Sequence, residues 1–198
     1  MCLVNLTKNI CLLIRIRLFY EELFLFMLKI NYLKMSNDKN LGISRDIAFS
    51  NVLEIEKKLP FELTSDQLKA VRSIYDDLLS KKSMNRLLQG DVGSGKTVVA
   101  FISLYINFLS GYQGALMAPT EILATQHYNN FIKLFPNLNT VLLTGKLKAK
   151  DRKLVLDLIK KGEADIIIGT HALISEDVMY NNMGLVITDE QHRFGVVQ

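Results

Sequence analysis

The sequence predicts an α/β fold: a parallel sheet with helices on both faces, preceded by a helical segment. Three observations carry this expectation. From Pro60 onward, short apolar runs alternate with amphipathic stretches of about 12–18 residues, the rhythm of βα units. A glycine-rich string, Gly90 to Thr97, stands between one such run and an amphipathic stretch. The last apolar run, Leu185-Val186-Ile187-Thr188, ends on two acids, Asp189 and Glu190.

The chain has 198 residues, 49% hydrophobic and 22% charged, with three prolines and no tryptophan, which excludes a disordered or fibrous polymer. That length holds one domain and an appendage. Residues 1–59 carry nine Lys/Arg against six Asp/Glu, and the remainder fifteen against fourteen, so most of the net +4 lies outside the expected domain. A surplus this small permits an anionic partner without demanding one. Cys2 and Cys11 stand together with no distant partner, as free thiols in a reducing compartment would. His127, His171 and His192 are too scattered for a zinc site. Arg15, Arg17, Glu21 and Glu22 interrupt the apolar amino end, which leaves no run near the ~20 residues of a membrane helix and no signal peptide. The expected location is cytoplasmic, with no membrane partner.

Taking the elements in order, Phe19, Leu23, Phe26, Met27, Ile30 and Leu33 draw one apolar stripe along a helix over Arg17–Lys34. Ser36 to Asn40 and Gly42 read as a linker, and Asp46–Lys58 as a second helix that Pro60 ends. Residues 1–58 form the appendage and 59–198 the domain. Strands are expected at Arg86–Gln89, Ala115–Ala118, Thr140–Leu143, Asp165–Gly169 and Leu185–Thr188. Helices are expected at Ser65–Ser80, Lys96–Leu109, Glu121–Leu134 and Lys148–Lys161, and right-handed crossovers place them on both faces.

Gly90-Asp91-Val92-Gly93-Ser94-Gly95-Lys96-Thr97 matches the phosphate-binding P-loop, G-x-x-x-x-G-K-[ST]. Its glycines let main-chain N–H groups turn inward and the helix amino terminus adds its dipole. Lys96 reaches the β/γ-phosphates, and the Thr97 hydroxyl ligates Mg²⁺. In such a fold the strand ending 93 residues after Lys96 faces the cation. Asp189 would hold it, and Glu190 would orient the attacking water.

Thr64-Ser65-Asp66-Gln67 has the form of a capping box, with Leu63 and Leu68 placed as a hydrophobic staple. Lying 23 residues before Gly90, the Gln67 amide also suits an adenine edge, and the two roles are compatible. Pro119-Thr120 after one strand and Gly169-Thr170-His171 after another are strand-end hydroxyls and amides able to hold a phosphodiester; a plain helix cap explains Thr120 equally well. Lys146, Lys148, Lys150, Arg152 and Lys153 follow Thr144-Gly145, either as phosphate contacts or as a solvated helix face.

Together these residues resemble the first motor domain of superfamily-two helicases, and specifically the RecG family of ATP-dependent DNA helicases. The resemblance rests on Leu59-Pro60-Phe61, Met84 to Gln89, the P-loop, Ala118-Pro119-Thr120, Ile122-Leu123-Ala124 and Gln126-His127-Tyr128. It continues through Thr144-Gly145, Gly169 to Leu173 and Asp189-Glu190-Gln191-His192-Arg193-Phe194-Gly195. It covers 59–198 closely and extends more weakly into Arg17–Leu28, which looks like that family's linker helix. Transcription-repair coupling factors have a related motor but carry Asp-Glu-Glu-Gln-Arg-Phe-Gly at the last motif, so His192, like Ser94, points to the RecG side.

The resemblance implies a RecA-like lobe with ATP and Mg²⁺ as cofactors. Its catalytic set would be Lys96, Asp189, Glu190 and His192, its cation ligands Thr97 and Asp189, and its nucleotide contacts Gln67 with Gly90 to Thr97. DNA contacts would fall at Pro119, Thr120, Gly145, Gly169, Thr170 and His171. The implied activity is translocation on duplex or branched DNA, without base readout, in remodelling forks and Holliday junctions for repair and recombination. Length leaves no room for that family's wedge domain and second motor lobe, so the expectation is a chain that does not unwind DNA alone. The alternatives are a nucleotide- and DNA-binding remnant without turnover and the related motor of a transcription-repair coupling factor. A transporter ATPase is disfavoured because no LSGGQ-like signature is present.

Overall fold

The computed structural model describes Phe24, Leu28 and residues 42–189. The chain divides into two compact units. The smaller comprises Met1–Gly42 with Lys81–Ser83; in it Phe24 and Leu28 are helical, and the Gly42 N–H donates to the Lys81 carbonyl at 2.8 Å. The stripe expected over Arg17–Lys34 otherwise lies outside the described residues. The larger unit holds Ile43–Ser80 and the chain from Met84 onward.

In the larger unit the elements run α1 (Phe49–Lys58), α2 (Ser65–Leu79), α3 (Lys96–Leu109), β1 (Gln113–Met117), α4 (Glu121–Leu134), β2 (Thr140–Leu143), α5 (Ala149–Lys161), β3 (Ile166–Gly169), a 3-10 turn (His171–Ile174) and β4 (Met183–Thr188). The strands form one parallel sheet in the order β2-β3-β1-β4.

Period-two alternation sends neighbouring residues of a strand to opposite faces, and helices cover both. Ile166 and Ile168 of β3 join Leu116, Leu185 and the side chains of α1 to α4 in one core. Ile167 turns the other way, with Met117, Val141 and Leu143, onto Ile159 of α5. Helix α3 is the central helix. Its sequence, KTVVAFISLYINFL, is apolar on nearly every side, as an element enclosed by neighbours requires, and Val99, Phe101, Ile102, Leu104 and Ile106 are buried. Phe101 meets Phe131 of α4 edge to face at 5.1 Å, and Phe131 meets Phe135 at 5.2 Å. Helix α1, which the sequence places in the appendage, contributes Val52 and Ile55 to the same core.

One expected strand is corrected. Arg86–Gln89 forms no strand and pairs with none among the described residues. Side chains hold it instead: Arg86 Nε donates to Asp77 Oδ2 at 2.6 Å, and Met84 and Leu88 pack on the core. Leu87 points outward and is 78% exposed, so the apolar run is not a buried one. Among the described residues β4 is an edge strand, with Val186 exposed.

Three buried polar side chains pin the amino-terminal end of the sheet. Arg45 donates to Asn107 Oδ1 (2.7 Å), Gly184 O (2.5 Å) and Ile43 O (2.8 Å), and its guanidinium lies over the Tyr112 ring. Desolvation lowers the pKa of this guanidinium, which has no carboxylate among these partners. Asn107 donates onward to the carbonyls of Tyr112 and Gln113 at 3.0 Å. Gln113 donates to Ile159 O and Ala164 O and accepts from the N–H groups of Asn181 and Asn182.

Candidate nucleotide and nucleic-acid site

The P-loop opens α3 as the sequence requires. Gly93 (φ +83°) and Gly95 (φ +78°) occupy the left-handed region, which other residues adopt only with strain, and Gly95 is the residue from which the helix starts. A Cβ at Gly93 would meet nothing within 4 Å, so the mouth of the loop is open. The Lys96 ammonium donates to the carbonyls of Gly90 (2.8 Å) and Asp91 (2.7 Å). A cation whose bonds among the described residues go to neutral carbonyls of an open loop, at a helix amino terminus, suits a polyphosphate anion. Thr97 follows in the first turn, while Asp91, Val92 and Ser94 are exposed.

Gln67 closes this site from α2. The capping box forms: Thr64 Oγ1 accepts from the Gln67 N–H, and Gln67 Oε1 accepts from the Thr64 N–H at 2.9 Å. Its Nε2 donates to the Ser94 carbonyl at 2.9 Å, tying α2 to the P-loop. Leu63 is buried and Leu68 is exposed; both line a cavity of about 290 Å³ with Phe49, Val52, Arg72 and Ile102.

The carboxyl edge of the sheet collects the remaining candidates. The register pairs Leu143 with Gly169, Gly169 with Met117, and Met117 with Thr188, so the four strands finish level. Along that edge stand Thr144-Gly145 after β2, Thr170-His171 after β3, Pro119-Thr120 after β1 and Asp189 after β4. The sites expected for DNA thus occupy three adjacent strand ends, and the acid expected for the cation occupies the fourth. Gly169 is there for packing: a Cβ would collide with the Leu143 carbonyl. Thr120 Oγ1 accepts from the Leu123 N–H at 3.3 Å and caps α4. Lys146, beside Gly145, pairs with Glu121 at 2.7 Å, and this bond raises the lysine pKa.

Of the basic run, Arg152 is also engaged, with Asp177 at 2.8–3.1 Å and Ser175 at 3.0 Å; hydrogen bonds to Asp177 from Arg152, and then from Ser175, lower its pKa. Lys148, Lys150 and Lys153 are exposed. Asp189 is fixed twice: its N–H donates to Met117 O at 2.8 Å, and its Oδ2 accepts from His127 Nε2 at 2.7 Å. Glu190 and His192 lie outside the described residues. His127 is the residue at this edge that sequence reasoning did not single out. Its signal is its place on the buried face of α4 with Ala124 and Phe131, where a polar side chain is unexpected. The described residues contain no cluster able to hold a metal by themselves and no helix long and apolar enough to cross a membrane.

A model of the DEAD/DEAH box helicases matches residues 64–198. The chain belongs to the DEAD/DEAH box helicase family. Within it, the chain is 51% identical over 183 residues to the ATP-dependent DNA helicase RecG of Streptococcus pneumoniae, covering 92% of this chain and 27% of that protein. It is 49% identical over 195 residues to RecG of Bacillus subtilis, covering 97% and 29%. The chain therefore spans somewhat more than a quarter of the length of these relatives. Among solved structures, RecG bound to a three-way DNA junction superimposes with a TM-score of 0.82 at 45% identity, covering 90% of this chain and 25% of that one. The UvsW helicase of bacteriophage T4, at TM-score 0.56 and 18% identity, shares the fold. The expected resemblance to RecG and the α/β class are both borne out.

Proposed function

We propose that the chain is the ATP-binding lobe of a RecG-type helicase, 59–198 preceded by a helical segment 1–58, working on branched or duplex DNA in the cytoplasm. The observation that supports it most is the level carboxyl edge, where the strand ends leading into Thr120, Gly145 and Thr170 stand beside the strand that ends in Asp189. Gly90 to Lys96 would wrap the phosphates with main-chain N–H groups, and Thr97 and Asp189 would hold Mg²⁺. Gln67 would face the base: each end of its amide makes one bond, leaving one donor hydrogen and one acceptor lone pair. Bound MgATP supplies the phosphoanhydride whose cleavage drives translocation. Glu190 would orient the water, and His192 would join the catalytic set. Pro119, Thr120, Gly145, Gly169, Thr170 and His171 would track the DNA backbone.

Lys96-dependent ATP hydrolysis stimulated by a forked oligonucleotide is the expected result for the purified chain mixed with the second lobe and wedge of a RecG relative. Stimulation that survives Lys96→Ala overturns the reading. For the chain alone, strand separation of a fork is not expected. A module that binds nucleotide and DNA without turnover is the second reading, favoured by the unpaired Arg86–Gln89 approach to the P-loop. Fork-stimulated hydrolysis excludes it.

A further inference from the structure

We infer that His127 is a positioning residue for the divalent cation, holding the Asp189 carboxylate from the flank of α4; the inference rests on reading Asp189 as the acid that faces the metal. Asp189 is 34% exposed at the strand end, and its main chain is already fixed by Met117 of β1. His127 grips the carboxylate itself. A carboxylate oxygen accepts, so the imidazole donates from Nε2 to Oδ2 across 2.7 Å.

The rest of the ring's surroundings are apolar. His127 is 7% exposed and stands edge-on to Phe101, with centroids 6.1 Å apart at 88°. Its Nδ1 is buried without a hydrogen-bond partner among the described residues. Packing alone would be better served there by a phenyl ring, which leaves no nitrogen unsatisfied. The bond to Asp189 is what the imidazole adds, and carboxylates that ligate metals depend on such orienting partners. The bond also joins α4, which begins at the Thr120 edge, to the end of β4.

The test is Mn²⁺ binding, followed by electron paramagnetic resonance with the full chain and ATP, beside metal-free nucleotide binding in EDTA. His127→Phe is expected to weaken Mn²⁺ uptake by about tenfold while metal-free ATP binding stays unchanged. His127→Gln, whose amide reaches the Nε2 position, is expected to restore most of it. In a D189N background, His127→Phe is expected to add nothing. Equal Mn²⁺ uptake by wild type and His127→Phe, or an undiminished loss in the D189N background, overturns the inference and leaves the nucleotide site standing. A wild type that binds no nucleotide in EDTA overturns the lobe reading together with it. If His127→Phe fails to fold, His127→Gln against the shorter His127→Asn decides, since only the glutamine can reach Oδ2; equal uptake by the two overturns the inference.

Discussion

Gln67 Nε2 donates to the Ser94 carbonyl across 2.9 Å while the same side chain completes the capping box of α2 with Thr64. One amide thus serves a helix end and the nucleotide loop. Gln67→Ala should cost about 1 kcal/mol of stability through the lost cap and also weaken ATP binding several-fold. Thr64→Ala should cost a similar amount of stability and leave ATP binding nearly intact, because the bond to Ser94 survives. Denaturant unfolding and nucleotide titration of the two variants separate the roles; equal nucleotide affinity in both would reduce Gln67 to a cap.

Among the described residues the Lys96 ammonium bonds to two carbonyls of its own loop, so it contributes little to holding the domain together. Lys96→Ala should leave the unfolding midpoint near the wild-type value and weaken ATP binding by more than tenfold, as loss of the main phosphate cation. Calorimetric melting with and without nucleotide checks both halves, since a ligand that binds the native state raises the midpoint of wild type alone.

Most of this was legible where the signal is local. Helix α4 runs over Glu121–Leu134, as its cap at Thr120 and its apolar period indicate, and the P-loop motif locates the left-handed glycines in advance. Arg86–Gln89 was misread because an apolar run says nothing about whether a neighbour will offer it a ladder; strand pairing is non-local, and here Asp77 and the core hold the segment by side chains. His127 and Arg45 were overlooked for a similar reason. Each earns its place through a partner 62 residues away, Asp189 and Asn107 respectively, which no window along the chain brings into view.

Arg45 supplies a prediction of stability. Three acceptors, Asn107 Oδ1, Gly184 O and Ile43 O, turn to its guanidinium in a buried site. Arg45→Ala strands them and empties the space over Tyr112, so a loss of about 2–4 kcal/mol is expected in urea unfolding. Nucleotide affinity under native conditions should be unchanged, because this cluster lies at the opposite end of the sheet from the P-loop edge. A loss under 1 kcal/mol would show that water replaces the guanidinium.

The Arg152–Asp177 clamp predicts a pH dependence. Hydrogen bonds from Arg152, and then from Ser175, lower the folded-state pKa of Asp177 below its unfolded value. A group depressed in this way contributes stability that is fully present above the unfolded carboxylate pKa, about 3.9, and is lost as the pH falls through the folded value. Asp177→Asn should therefore flatten the acid limb of stability against pH and leave the limb above pH 6 unchanged. Melting curves between pH 3 and pH 7 test this, and an unaltered acid slope would remove the clamp from the account.

Glu121 and Lys146 set the last prediction, which concerns DNA. Lys146 follows Gly145 at the end of β2, and Glu121 opens α4 just after Thr120, so their 2.7 Å pair spans two of the strand ends assigned to the DNA backbone. A carboxylate at that position competes with phosphate for the lysine. Glu121→Gln should free Lys146, raise affinity for a duplex oligonucleotide and steepen the fall of log K with log salt by about 0.9, the increment for one further neutralised phosphate. Lys146→Ala should do the reverse or nothing, and the double variant should match Lys146→Ala alone. Fluorescence anisotropy across a salt series provides both the affinity and the slope. If Glu121→Gln moves neither, the pair belongs to the surface of α4, and the DNA track runs instead past Thr170 and His171.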